Sequence, residues 1–290
     1  MSPFPGPHLP PDRPMLPAPR DIAGGLGAPA SCTVTLWFCP TDALAPAVAA
    51  TLAAQWLDEQ EQNTAERFLF ERDRRQYLVS HVLVRRVLAL ECGIPEAESV
   101  IRRSPHGRPY LQKPAGGLPR GGPEPDFNLS HTGGHNLLGV VRRHRIGVDV
   151  ERLDHGDQEF DTLVHTFAPE EQEWVAQARP GQVRDRRILR LWTLKEAYAK
   201  ARGLGLGLSF GAFSFELAEE RGVLGFRPAH GDPARRWRFM ELEPAPGVLA
   251  AVAVVADDGE EPVLELRHGF PWARSAPRAR AVLGAARAVC

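Results

Sequence analysis

Residues 146–153, IGVDVERL, leave the chain few ways to fold. Strict alternation puts Ile146, Val148 and Val150 on one face of a strand and Gly147, Asp149 and Glu151 on the other. The first face has to enter a core. The second sets two carboxylates side by side, next to a glycine that leaves room for something to approach. Like charges at adjacent same-face positions repel, so the pair calls for a cation or for water. Taken alone, a D-x-E of this kind is a solvated edge strand more often than a site.

The bulk properties narrow the setting. At 290 residues and 43% apolar side chains, the chain can bury one large core or two modest ones. A formal net charge of −1 and the lack of a basic tail argue against nucleic acid as a partner. No apolar run is long enough to span a membrane. The opening MSPFPGPHLPPDRPMLPAPR has neither the basic nor the apolar region of a secretory signal. Cys32, Cys39, Cys92 and Cys290 form no C-x-x-C and have no histidine at ligand spacing. The expectation is no zinc site, no disulfide framework and a reducing, cytoplasmic setting.

Along the chain, residues 1–30 are Pro-rich with little apolar periodicity and read as a disordered arm. A strand is expected at 33–39 and helices at 47–62 and 73–92, the latter with Gly93 as its C-cap. Residues 114–126 read as a turn-rich loop, followed by strands at 136–141 and 146–151. Helices follow from Pro169 and over 183–202, then strands at 209–217, 236–243 and 248–256. Residues 257–290 read as a C-terminal extension. RDRR occurs at 72–75 and again at 184–187, each time leading into an amphipathic helix, which fits two similarly built halves, 31–145 and 146–256. The acid strand opens the second half, where a cleft between halves would hold a ligand.

Three further stretches carry chemistry. In LWTLKEAYAKARG (191–203), Trp192, Glu196 and Lys200 fall at i, i+4 and i+8 on one helical row, with Lys195 a quarter turn away. By itself this is a surface helix with a Glu–Lys pair. Beside Asp149 and Glu151, however, Glu196 is a third carboxylate, and carboxylates next to lysines suit Mg²⁺ with a phosphate-bearing substrate. In FNLSHTGGH (127–135), Ser130, His131 and the amides of Thr132, Gly133 and Gly134 offer donors to an anion, although a turn with a surface histidine reads equally well. In SPHGRPYL (104–111), Gly107-Arg108-Pro109 is a rigid basic turn that could lie against a flat or phosphorylated ligand.

HGRPYL, FNLSHTGG, IGVDVERL and LWTLKEAYAKARGLGL, in this order and at this spacing, resemble the 4′-phosphopantetheinyl transferase superfamily, most closely its surfactin-synthetase-activating (Sfp-like) branch. The resemblance spans about residues 60–256. It implies an α+β fold of two similar α/β halves in pseudo-two-fold arrangement, with the active site in the cleft between them. It implies transfer of the phosphopantetheine arm of coenzyme A to a serine of an acyl or peptidyl carrier protein, releasing adenosine 3′,5′-bisphosphate. Fatty acid, polyketide and non-ribosomal peptide carriers all fit, and two halves in one chain imply a monomer. Asp149, Glu151 and Glu196 match the acids that hold Mg²⁺, for which Mn²⁺ could substitute. Ser130, His131, Lys195 and Lys200 match contacts to coenzyme A phosphates, and Arg108 and Pro109 match the turn against adenine. Glu196 is the expected base and Lys200 the expected pyrophosphate contact.

The chain departs from the family pattern on the 3′-phosphate side. A basic residue there falls near Gln76, with Arg75 the adjacent candidate. Upstream lysines are replaced by Glu61 and Thr64, with Arg67 nearby, and a Gly-Lys-Gly reads GLG at 203–205. The alternatives are a non-catalytic coenzyme A-binding relative of the same fold and a Mg²⁺-dependent phosphoanhydride hydrolase. Intact acids and Lys200 argue against the first, and mass gain on a carrier serine separates all three.

Overall fold

A computed structural model describes residues 32–153, 157–204, 207–232, 236–257, 260–272, 279–282 and 287–288. The Pro-rich arm and Cys290 lie outside the described residues.

Strand β1 (Thr33–Pro40) is a nearly unbroken apolar run, as a strand covered on both faces requires. It is central in a five-stranded sheet with β4 (Pro125–Thr132), β5 (His135–Arg142), β11 (Val263–His268) and β12 (Ala279–Val282), in the order β12-β11-β1-β5-β4. Only the β1–β11 pairing is parallel. One face packs on α1 (Pro46–Trp56) and α3 (Glu71–Cys92), through Trp37, Leu138 and Val140 against Ala53, Val79, Leu83 and Val87. The other face, with Val34, Leu36 and Leu137, packs on a second sheet.

That second sheet is antiparallel, in the order β6-β10-β9: β6 (Ile146–Arg152), β10 (Val248–Val255) and β9 (Trp237–Ala245). Ile146, Val148 and Val150 enter the core between the sheets, as their alternation predicts. The far face of β6 and β10 carries α6 (Gln182–Arg202), whose Leu194, Ala197, Tyr198 and Ala201 lie against Leu249, Ala251 and Ala253. The order is helices, sheet, sheet, helix. A smaller sheet, β13 (Arg287–Ala288), β8 (Val223–Arg227) and β7 (Ser214–Leu217), and a hairpin of β2 (Ile101–Arg103) and β3 (Pro109–Leu111) complete the strands described. Among the described residues no helix is long and apolar enough to cross a membrane.

Several expectations need correction. The helix expected at 47–62 is broken at Leu57, because Asp58 caps a new helix, α2 (Glu59–Glu66), in a reciprocal capping box with Glu61. The strand expected at 209–217 is a single turn at Phe210–Ala212 followed by β7. Residues 127–132, expected as part of a turn, are strand β4, and the turn is confined to Gly133–Gly134. The stretch set aside as an extension supplies β11, whose Leu264 and Leu266 share the core of Val34 and Leu36. One short helix also went unseen, α4 (Asp157–Val164), whereas the helix expected from Pro169 is α5 (Pro169–Ala176).

Candidate active site

Gly147 decides where the site lies. A Cβ there would sit 1.9 Å from the Ala197 carbonyl oxygen and 2.5 Å from the Ala201 nitrogen. What approaches this glycine is therefore the backbone of α6, and the contact brings the row Trp192, Glu196 and Lys200 beside the acids of β6.

The resulting geometry is dense. Asp149 is 2% exposed. Its Oδ1 accepts from Lys200 Nζ at 2.6 Å and from the Ser130 hydroxyl at 2.8 Å, and Lys200 also donates to Ser130 Oγ at 3.1 Å. Asp149 Oδ2 is buried without a hydrogen-bond partner. Glu151 Oε2 accepts from the Thr132 hydroxyl at 3.0 Å. Burial raises the Glu196 carboxyl above its ordinary range; Lys200 pulls the other way and Asp149 adds to the rise. Burial also opposes the Lys200 charge, but Asp149, Glu196 and Glu151 outweigh it and raise its pKa. One ammonium thus faces three carboxylates. His131 is exposed; partial desolvation and the Lys200 cation hold its imidazole below the usual value.

Strand β4 supports this arrangement through residues that sequence reasoning missed. Asp126 Oδ2 accepts from the Ile146 amide and Asn128 Oδ1 from the Val148 amide, each at 2.8 Å. Ser130 and Thr132 continue the same face to Asp149 and Glu151. Four alternate side chains of one edge strand therefore grip another edge strand with which no backbone ladder forms. The signal was legible as D-x-N-x-S-x-T at period two.

Glu196 and Lys200 open onto a cavity of about 820 Å³. Its walls are the 106–109 turn, Leu129, residues 165–167, the Trp192 face of α6 and residues 208–211. Trp192 and Phe210 meet edge-on at 5.4 Å, giving the cavity an apolar side opposite its charged end.

Residues 46–140 match the family model described as 4′-phosphopantetheinyl transferase, N-terminal, and residues 145–253 match the 4′-phosphopantetheinyl transferase superfamily model. A phosphopantetheinyl transferase of Thraustochytrium sp. is 31% identical over 70% of this chain and 73% of its own. The 4′-phosphopantetheinyl transferase HetI of Nostoc sp. is 30% identical over 76% and 87%. The chain belongs to the 4′-phosphopantetheinyl transferase superfamily. The human L-aminoadipate-semialdehyde dehydrogenase-phosphopantetheinyl transferase is more distant, at 24% identity over 72% and 70%.

In this transferase three residues expected at the ligand make their contacts within the protein. Lys195 is fully buried, 2.7 Å from Glu171 Oε2, and donates to the Phe210 and Phe213 carbonyls at 2.8 Å each. Its quarter-turn offset from Glu196 points it into the core, so it shapes the cavity wall and touches no cavity ligand. The Arg108 guanidinium is likewise turned inward, onto Asp126 and the Ile146, Phe127 and Lys200 carbonyls. Arg108 and Pro109 both line the cavity, with the guanidinium committed to these protein acceptors. Arg75 donates to the Leu44 carbonyl at 2.9 Å. Gln76 ties α3 to the 134–136 turn through Gly134, His135 and Asn136. Glu61, at a place where the family pattern has lysine, is held at about 2: burial raises its pKa, but His81 and Arg85 lower it further.

Proposed function

We propose that this transferase moves 4′-phosphopantetheine from coenzyme A to a serine of an acyl or peptidyl carrier protein, with Mg²⁺, as a monomer in the cytoplasm. We further propose that it belongs to the surfactin-synthetase-activating branch, with 31–145 and 146–256 as two similar halves around the site. The observation that carries the reading is the orphaned Asp149 Oδ2, buried beside an ammonium and two further carboxylates at the end of a large cavity. A buried carboxylate oxygen without a donor is costly unless a cation completes it. The donor set is all oxygen, which fits a hard ion.

Asp149, Glu151 and Glu196 are the residues that would hold Mg²⁺. Bound there, the ion would neutralise charge on the pyrophosphate oxygens. Lys200 reaches the same region with a firmly held proton and stabilises charge that builds on the leaving phosphate. Ser130 fixes Asp149 and Lys200 relative to each other, and Thr132 fixes Glu151. The carrier serine oxygen forms a bond to the phosphorus next to pantetheine as the bond to the bridging oxygen breaks. Its proton passes to Glu196, which faces the cavity beside Lys200, and adenosine 3′,5′-bisphosphate leaves. The apolar wall of Trp192, Phe167 and Phe210 excludes water from this exchange.

Intact-mass analysis of apo acyl and peptidyl carrier proteins incubated with the transferase, coenzyme A and Mg²⁺ tests the reading. The expected result is a gain of one phosphopantetheine, lost with EDTA. No gain on any carrier while coenzyme A still binds would identify a non-catalytic relative, and release of phosphopantetheine to water would identify a hydrolase.

A further inference from the structure

Three donors far apart in sequence converge at the other end of the sheet sandwich. Cys32 immediately precedes β1, His144 lies in the turn between β5 and β6, and Glu260 lies between β10 and β11. One ligand atom from each lies within 4.8 Å of the other two. The group is withdrawn from water: Cys32 is 9% exposed, and the His144 and Glu260 side chains 7% and 16%. His144 Nε2 and Glu260 Oε2 already meet at 2.8 Å. None of the three lines the cavity of the transferase site.

Each donor is fixed by its backbone. The Cys32 carbonyl accepts from the Val263 amide at 2.8 Å, which ties the start of β1 to β11. Arg143 takes a left-handed conformation, φ 72°, in the tight turn that carries His144. The Arg145 carbonyl accepts from Val255 at 3.0 Å, anchoring that turn to β10. Glu260 closes its own loop: its amide donates to the Asp257 carbonyl at 3.0 Å, and its Oε2 accepts from the Asp257 amide at 3.1 Å. Two carboxylates, Glu260 and Asp257, act on the thiol against one guanidinium, Arg143.

We propose that Cys32, His144 and Glu260 form a second metal site, for a borderline-soft divalent ion of the zinc class. The donor set of sulfur, imidazole nitrogen and carboxylate oxygen selects such an ion over Mg²⁺, which takes oxygen donors. Four-coordinate bonds of about 2.0–2.3 Å place donors roughly 3.3–3.8 Å apart, so an ion seated here parts the 2.8 Å contact between His144 and Glu260. The thiol proton leaves to solvent as the sulfur–metal bond forms, and His144 exchanges its contact with Glu260 for the ion. Three protein donors leave the fourth position of the ion to water, and the ion would clamp three loops at one end of the two packed sheets. Sequence spacing concealed it because no two of the donors share a motif.

The test uses the full chain, stripped with chelator and titrated with Co²⁺ and then Zn²⁺, without coenzyme A. The expected result is one equivalent of Co²⁺ with a thiolate-to-cobalt charge-transfer band, displaced by Zn²⁺ but not by Mg²⁺, and a higher Tm with Zn²⁺. Cys32→Ser should abolish the band, and Glu260→Gln should weaken Zn²⁺ binding at least about tenfold. Asp149→Asn should leave the band intact, separating this site from the transferase site. A band that survives Cys32→Ser, or Zn²⁺ binding unchanged in both folded variants, would overturn the proposal. So would the lack of any band in the wild-type chain. Circular dichroism of the stripped variants establishes that each is folded before titration.

Discussion

Replacing Lys195 by Met should destabilise the transferase more than any surface change, even though the two side chains have similar shape. The ammonium is fully buried and serves three acceptors: Glu171 and the carbonyls of Phe210 and Phe213. Burial lowers its pKa to about 8 despite the pull of Glu171, which shows how poorly solvated the charge is. Glu171 is 1% exposed and keeps two backbone donors, Ala168 and Phe215, when the lysine is gone. Its charge then has no cation, a situation that costs about 3–5 kcal/mol. For a domain of this size each kcal/mol lowers Tm by roughly 2–4 °C, so Lys195→Met should melt about 10 °C lower. Adding Glu171→Gln removes the stranded charge and should recover more than half of that loss. The measurement is a double-mutant cycle by denaturant unfolding followed through tryptophan fluorescence. If the single variant cost less than about 1 kcal/mol, or the double variant were no more stable than the single, the buried pair would not be holding this wall together.

Gly147→Ala should cost more than about 3 kcal/mol or prevent folding, because its Cβ meets α6 backbone at 1.9 Å. Gly139→Ala, which meets only side-chain ends at 2.7 Å, should cost less in the same thermal melts. Glu61 is held at about 2 in the fold against about 4.5 for an ordinary glutamate. Its contribution, about 3 kcal/mol, is therefore present above pH 4.5 and lost as pH falls through 2. Unfolding measured between pH 6 and 2 should show this slope, and Glu61→Gln should flatten it. Thr132→Val removes the hydroxyl on Glu151 and should raise the Mg²⁺ concentration for half-maximal transfer by up to about tenfold, with kcat near normal at saturating metal. Unchanged metal dependence would detach Thr132 from the site. Asp149→Asn should abolish Mg²⁺-dependent transfer, which intact-mass analysis of the carrier reads directly.

What the sequence disclosed follows from how local each signal is. The two faces of β6 and the row on α6 were legible because periods of two and of about four lie within one element. Lys195 misled because it lies on the buried stripe itself, spaced three, four and three residues along Ile188, Leu191, Lys195 and Tyr198. A lysine on such a helix needs a partner, and Glu171 is too distant in sequence to show as one. Arg108 misled for a related reason: its acceptors come from β4, β6 and the end of α6, which only the fold assembles. Strand β11 was invisible because its parallel partner, β1, lies more than two hundred residues earlier.

The same polar alternation that hid β4 explains why the site lies where it does. β4 is the edge of one sheet and β6 the edge of another, and an edge exposes amides that must find acceptors. Asp126 and Asn128 accept the Ile146 and Val148 amides, so side chains replace a backbone ladder at the start of the junction. Further along, the pairing changes character: Ser130 and Thr132 donate to the side chains of Asp149 and Glu151 instead of accepting from the backbone. Short side chains bridge the gap between the strands at one end and orient carboxylates at the other. Placing α6 on Gly147 then brings Lys200 and Glu196 to that second end. Seating the acids at this junction costs stability unless a cation is present, and Lys200 supplies one in the ligand-free chain. Lys200→Met should therefore weaken the fold as well as the chemistry, whereas Asp149→Asn with Lys200→Met should be more stable than Lys200→Met alone. Thermal melts of the two variants decide it. A double variant that melts no higher than the single would mean that Asp149 is not under electrostatic strain without the lysine.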